Sequence, residues 1–254
     1  MGKNILCANW KMNKTYSEAQ AYFKELLSLD LPSDQVEVVV AVPDLFAKLA
    51  LDECKGTDIK IGVQNAYPAE SGSFTGETSV YALADMGIEY VIVGHSERRE
   101  IFKESDEFIN EKVSAVFEQG MTPILCVGET LEQKENSQTI EVVNEQIEKA
   151  LVGVPADSIP QLVIGYEPVW AIGTGKTASE EEAQEAAAAV RQKIAELYSQ
   201  EAADKVRIQY GGSANPENMG SFLSQADIDG GLIGGAGLEA VSFAQMIRVA
   251  SDHD

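Results

Sequence analysis

Eight short runs of β-branched and other apolar residues recur along the chain, each followed by an amphipathic stretch. That alternation leaves few folds open. The runs are Ile5–Asn9, Val36–Ala41, Ile59–Gln64, Tyr90–Val93, Thr122–Val127, Gln161–Tyr166, Val206–Tyr210 and Gly230–Ile233. Val36-Glu37-Val38-Val39-Val40-Ala41 is almost continuously apolar, as a strand covered on both faces must be. Helical patterns fill roughly 17–29, 44–54, 79–86, 105–119, 131–151, 179–202, 216–223 and 238–250. Ser179 supplies an N-cap followed by acids in the first turn, and Ser105 and Pro216 suit helix starts. Eight units of about thirty residues with no linker predict an α/β protein, a single (β/α)8 barrel domain over residues 1–254. A doubly wound open sheet is the alternative. The units share no recurring signature, which argues against a solenoid.

The charge balance narrows the partners. Forty-one acidic residues against nineteen basic ones give a net charge of −22, a field that repels phosphate backbones and anionic lipid. No apolar run approaches the roughly 18 residues of a membrane span, and no charged-then-apolar leader opens the chain. Cys7, Cys54 and Cys126 form no CxxC pair. A cytoplasmic protein that binds neither nucleic acid nor membrane is expected.

In such a barrel, function sits on the loops after the strands' C-terminal ends. These read Asn9-Trp10-Lys11-Met12-Asn13 after the first strand, Gln64-Asn65 after the third and Gly94-His95-Ser96-Glu97-Arg98-Arg99 after the fourth. Tyr166-Glu167-Pro168-Val169-Trp170-Ala171-Ile172-Gly173-Thr174-Gly175-Lys176 ends the sixth, Gly211-Gly212-Ser213 the seventh and Gly234-Gly235-Ala236-Gly237 the eighth. Polar, ionisable and glycine residues thus gather at one rim. Two phosphate-binding patterns fail in context. Gly175-Lys176-Thr177 would need its first P-loop glycine at Trp170, and Gly235-Ala236-Gly237-Leu238-Glu239-Ala240 has no further strand to complete a dinucleotide-binding unit. With only His95 and His253, the chain offers few ligands for a catalytic metal.

What remains suits acid–base chemistry on a small anion. Glu167 follows a buried strand, where desolvation raises basicity. A backbone N–H at one nitrogen of His95 would keep the imidazole neutral and able to polarise a carbonyl. Lys11 is a cation at the rim of a very acidic protein. The glycines of the last three strand ends let backbone N–H groups approach a phosphate, with the eighth helix predicted to start directly behind Gly234 and Gly235. Pro168–Lys176 has the composition of a lid moving between two hinges.

Over nearly its whole length the chain resembles the triosephosphate isomerase family, on the strength of the motifs around Asn9–Asn13, Gly94–Arg99, Tyr166–Lys176 and Tyr210–Ser213. The resemblance implies a TIM barrel that interconverts dihydroxyacetone phosphate and D-glyceraldehyde 3-phosphate through an enediol(ate), without cofactor or metal. It implies Glu167 as the base, His95 as the neutral electrophile and Lys11 as the group that binds substrate and stabilises the oxyanion. Asn9 would help orient the site, and Gly173, Ser213, Gly234 and Gly235 would hold phosphate. Glu97 and Cys126 would support the catalytic groups. The lid would comprise Pro168, Val169, Trp170, Ala171, Ile172, Gly173, Thr174, Gly175 and Lys176. A homodimer is implied, formed through the loop 65–79 with its Gly72–Thr78 segment and Phe74. Two positions depart from the family pattern: Gly237 where serine is usual, expected to remove a helix cap or polar contact, and Gly165 where alanine is usual, expected to loosen the strand carrying the base. A barrel retained as a binding protein and a metal-dependent sugar-phosphate epimerase are the competing readings.

Overall fold

The computed structural model describes residues 3–172 and 176–253. Strands β1 (Ile5–Asn9), β2 (Glu37–Val42), β3 (Lys60–Val63), β4 (Tyr90–Val93), β5 (Thr122–Val127), β6 (Val163–Tyr166), β7 (Arg207–Tyr210) and β8 (Gly230–Ile233) pair in parallel, each with the next. β8 returns to β1, closing the barrel.

Closure buries both faces of every strand, which is why the strands read as apolar runs. Alternate residues point inward: Ile5, Cys7, Val39, Ala41, Tyr90, Ile92, Ile124, Cys126, Val163 and Leu232 form one cluster inside the barrel. Their neighbours, such as Leu6, Ala8, Val38, Val91 and Ile164, point outward into a second cluster shared with the helices. The same alternation sends Asn9 and Glu167 inward at the upper rim, two residues beyond Cys7 and Gly165.

The helices are α1 (Tyr16–Ser28), α2 (Ala47–Glu53), α3 (Val80–Met86), α4 (Ser96–Glu100), α5 (Asp106–Glu118), α6 (Leu131–Glu135), α7 (Thr139–Ala150), α8 (Glu180–Leu197), α9 (Gln200–Ala203), α10 (Met219–Leu223) and α11 (Ala240–Ser251). Thr15 opens α1 and Ser179 opens α8, each in a capping box with a glutamate three residues on.

Five predicted helices differ. The stretch 44–54 divides into a 3-10 turn, Asp44–Phe46, and α2, and 179–202 divides into α8 and α9. The stretch 131–151 divides into α6 and α7, with Ser137 between them at φ +59°. α10 starts at Met219, not Pro216, because Asn215 Oδ1 accepts the N–H groups of Glu217 and Asn218 in a competing local turn. The last helix does not start behind Gly234 and Gly235. A 3-10 turn, Gly235–Leu238, intervenes, and α11 begins at Ala240.

Candidate active site

A cavity of about 440 Å³ opens at the upper rim, lined by Asn9, Lys11, His95, Glu167, Ser213, Gly234 and Gly235 among others. Residues from β1, β4, β6, β7 and β8 loops, as far apart in the chain as Asn9 and Leu238, therefore share one space.

Glu167 is 2% exposed and His95 5%, and they touch: His95 Nε2 lies 2.8 Å from Glu167 Oε1. Ser96 N–H donates to the other carboxylate oxygen at 3.0 Å. Glu97 N–H donates to His95 Nδ1 at 3.2 Å, so the ring proton sits on Nε2 and faces Glu167. Burial pushes the carboxyl up, but the imidazole, the Ser96 N–H and Lys11 overcome it and the net direction is down. For His95, burial pushes down while the Glu167 carboxylate, with Glu97, pushes up and prevails. Each shift depends on the contact. When the carboxylate turns away from the ring, burial is the largest influence left and, with Lys11, favours neutral imidazole against the smaller upward push of Glu97.

The backbone of Glu167 is held by an unusually close neighbour. Its N–H donates to Val127 O at 2.8 Å, and a Cβ on Gly128 would lie 1.7 Å from Glu167 O. Only glycine fits there. Behind it, Arg99 donates to Gly94 O and Cys126 O and pairs with Asp106, tying the ends of β4 and β5 together. Burial, then the nearby Glu167 carboxylate, pushes the Cys126 thiol well up, so this cysteine is a neutral packing group.

Lys11 projects from a backbone at φ +52° and its ammonium pairs with Glu97 Oε1 at 2.8 Å. Asn9 Oδ1 accepts the Lys11 N–H, and Gln64 Nε2 donates to Lys11 O. Non-glycine residues adopt this conformation at a cost that surrounding contacts must offset.

In the segment after β6, Trp170 Nε1 donates to the buried Glu129 at 2.8 Å and Tyr166 OH donates to the same carboxylate. Lys134 Nζ stands 3.5 Å over the Trp170 ring and pairs with Glu182. Ser213 Oγ donates to Ala171 O at 2.8 Å, and Tyr210 OH accepts the Ala178 N–H. Gly173, Thr174 and Gly175 lie outside the described residues. Sequence reading missed Glu129 and Gly128, although the Gly-Glu after β5 occupies the same rim as the other strand-end motifs and signalled them.

The two departures take on a different meaning. Gly237 cannot supply a cap, since α11 starts three residues later with Glu239 as its N-cap. A Cβ at Gly237 would come 3.0 Å from Ala8 Cβ and 3.2 Å from Ala8 Cα. The methyl of Ala8 fills the room a serine would need. At Gly165, Leu232 Cδ2 would lie 3.1 Å from an added Cβ and Cys126 Sγ 3.4 Å from it. The space left by the missing methyl is packed, so the expected loosening has no void behind it.

Comparison with known proteins agrees with this geometry. A sequence model of the triosephosphate isomerase family matches residues 4–250. The triosephosphate isomerase of Lactiplantibacillus plantarum is 52% identical over 244 residues, covering 96% of this chain and 97% of that protein. The chain belongs to the triosephosphate isomerase family.

Proposed function

We propose that this cavity interconverts dihydroxyacetone phosphate and D-glyceraldehyde 3-phosphate, a step of glycolysis and gluconeogenesis, with the whole chain acting as one barrel domain. The observation that carries the reading is the buried contact of Glu167 with His95, in a cavity that also holds Lys11 and the backbone of Gly234 and Gly235.

Deprotonating carbon beside a carbonyl is slow because charge must appear on oxygen. Glu167, turned from Ser96 toward substrate, takes the proton from one carbon and returns it to the next. His95 donates its Nε2 hydrogen to the substrate oxygens, and Lys11 places positive charge where the oxyanion develops. A preorganised donor of this kind lowers such a barrier by about 3 kcal/mol. Ser213, Gly234, Gly235 and Gly173 bind the phosphate, while Asn9 orients the Lys11 loop and Glu97 fixes both Lys11 and His95. The enediolate can expel phosphate, so the lid 168–176 protects it as well as excluding water. Neither cofactor nor metal enters this mechanism.

A homodimer through the loop 65–79 completes the proposal. A second cavity, about 300 Å³, lies on the other side of Lys11 and His95, bordered by Met12, Asn65 and Phe102. Met12 is 96% exposed and Phe102 62%. Such apolar surface beside a polar cavity suits burial against a second copy. Cytoplasmic operation without nucleic acid or membrane fits the net charge of −22, and no described helix is long and apolar enough to span a bilayer. Conversion of D-glyceraldehyde 3-phosphate in excess chelator is the test, with sedimentation alongside it. Metal-independent turnover by a dimer supports the reading; a folded, inactive protein overturns the activity, and a monomer at high concentration overturns the dimer.

A further inference from the structure

The turn Gly235–Leu238, which takes the place of the expected helix start, is too short to hold itself in position. Its carbonyls are held from outside by residues of the first strand–helix unit. Tyr22 OH donates to Gly237 O at 3.0 Å, and Lys14 Nζ donates to Leu238 O at 2.8 Å. The Ala8 methyl packs against Gly237 from the same side. Lys14 is an unusual choice for such a contact. Its backbone is at φ +74°, the second left-handed lysine within four residues after Lys11. Its ammonium also lies 5.1 Å from the Trp10 ring centroid and 4.8 Å from that of Tyr22, close enough for cation–π attraction. Strain at a residue with so many engagements indicates that the surrounding structure needs its side chain in one place.

We propose that Lys14 is a positioning residue for phosphate binding: its ammonium fixes the turn Gly235–Leu238 relative to the Lys11 loop, so that Gly234 and Gly235 present their backbone at the correct distance from Lys11. The geometry makes the link direct. Lys14 is three residues from Lys11, and a Cβ on Gly234 would lie 3.7 Å from Lys11 Cε. Lys14 lines the outer groove behind the turn, beside Tyr22 and Leu238, and is not among the residues lining the catalytic cavity. It therefore acts through the turn, without touching substrate. This inference rests on the isomerase reading above.

The test separates phosphate binding from chemistry at the carbonyl. Lys14→Met keeps the apolar stem over the two rings and removes the ammonium. Its KM for D-glyceraldehyde 3-phosphate is expected to rise about tenfold, equivalent to about 1.4 kcal/mol, with kcat falling no more than about twofold. Competitive inhibition by inorganic phosphate should weaken by a similar factor. The loss in kcat/KM on D-glyceraldehyde, which has no phosphate, should be about fivefold smaller than on the phosphorylated substrate, and Lys14→Arg should recover most of the loss. Equal losses on both substrates, or an unchanged KM and phosphate inhibition, would overturn the proposal. If Lys14→Met does not fold, Tyr22→Phe carries the test by removing only the hydroxyl donor to Gly237 O. It should raise KM about threefold by the same substrate comparison, and an unchanged KM would overturn the clamp. Inactive wild type would defeat the isomerase reading instead. Calorimetric titration with inorganic phosphate, comparing wild type with Lys14→Met, would then still decide whether Lys14 positions an anion site.

Discussion

The two walls of the candidate cavity are built differently. The β8–β1 wall is over-determined: Gly237 and Leu238 carbonyls are held by Tyr22 and Lys14, Gly237 meets the Ala8 methyl, and Lys11 is fixed by Asn9, Gln64 and Glu97. The β6 wall rests on contacts that can exchange. Glu167 is parked on Ser96 N–H and His95, and Trp170 on Glu129 and Lys134. A phosphate and an oxyanion need fixed dipoles, since any reorganisation during reaction is subtracted from catalysis. In the proposed mechanism the base and the lid must move, and partners that hold them reversibly suit that task. Stiffness is distributed according to task.

The largest test of this contrast lies on the moving wall. Glu167→Gln should reduce kcat/KM about a thousandfold, while circular dichroism shows the same fold. Near-normal turnover would mean that the fixed wall performs the chemistry by itself. On the fixed wall, Lys11→Ala should lower kcat/KM about a hundredfold and weaken inhibition by inorganic phosphate; unaltered inhibition would remove Lys11 from the anion site. Trp170→Phe deletes the donor to Glu129 and leaves that carboxylate with Tyr166 OH. A change of about fivefold in kcat is expected, with a changed dependence of kcat on solvent viscosity. The Lys14 variants should leave that dependence alone, and a viscosity effect shared by both walls would erase the distinction between them.

The smallest effect concerns pH. Glu167 is shifted down, so its contribution to stability is present above its ordinary value of 4.5 and is lost as pH falls through the lower folded value. His95 is shifted up, so its contribution is full below 6.5 and is lost as pH rises through the higher folded value. The pair should thus stabilise the fold most between those two values. Denaturant midpoints of wild type minus Glu167→Gln, measured across pH, should show a maximum there; a flat difference would mean that the parked contact contributes nothing.

Much of the barrel was legible. Ile5–Asn9, Tyr90–Val93, Thr122–Val127 and Gly230–Ile233 have the same ends in sequence and structure, because these short runs are mostly apolar and most are bounded by a polar residue or glycine. Gln161 was misread as strand because its apolar followers mask the 3-10 segment Ala156–Gln161. The helix ends at Asn215–Met219 and Glu135–Thr139 depend on side-chain hydrogen bonding and a left-handed serine, which apolar periodicity does not register. At the site, His95, Lys11 and Glu167 stood out as ionisable groups at strand ends. Glu129 stands at a strand end too, but its partner Trp170 lies 41 residues away, and no local pattern names that contact.

The sequence by itself determined the period, the alternation of strand and helix, the acidic surface and the strand ends on which polar residues collect. Each of these is written in local composition and spacing. Only the tertiary structure decided that Glu167 rests against His95 and that Ala8 occupies the space beside Gly237. It alone placed Lys14 on a carbonyl 224 residues further along the chain. Such contacts arise where barrel closure brings distant segments together, and no local pattern of side chains encodes which atoms will meet.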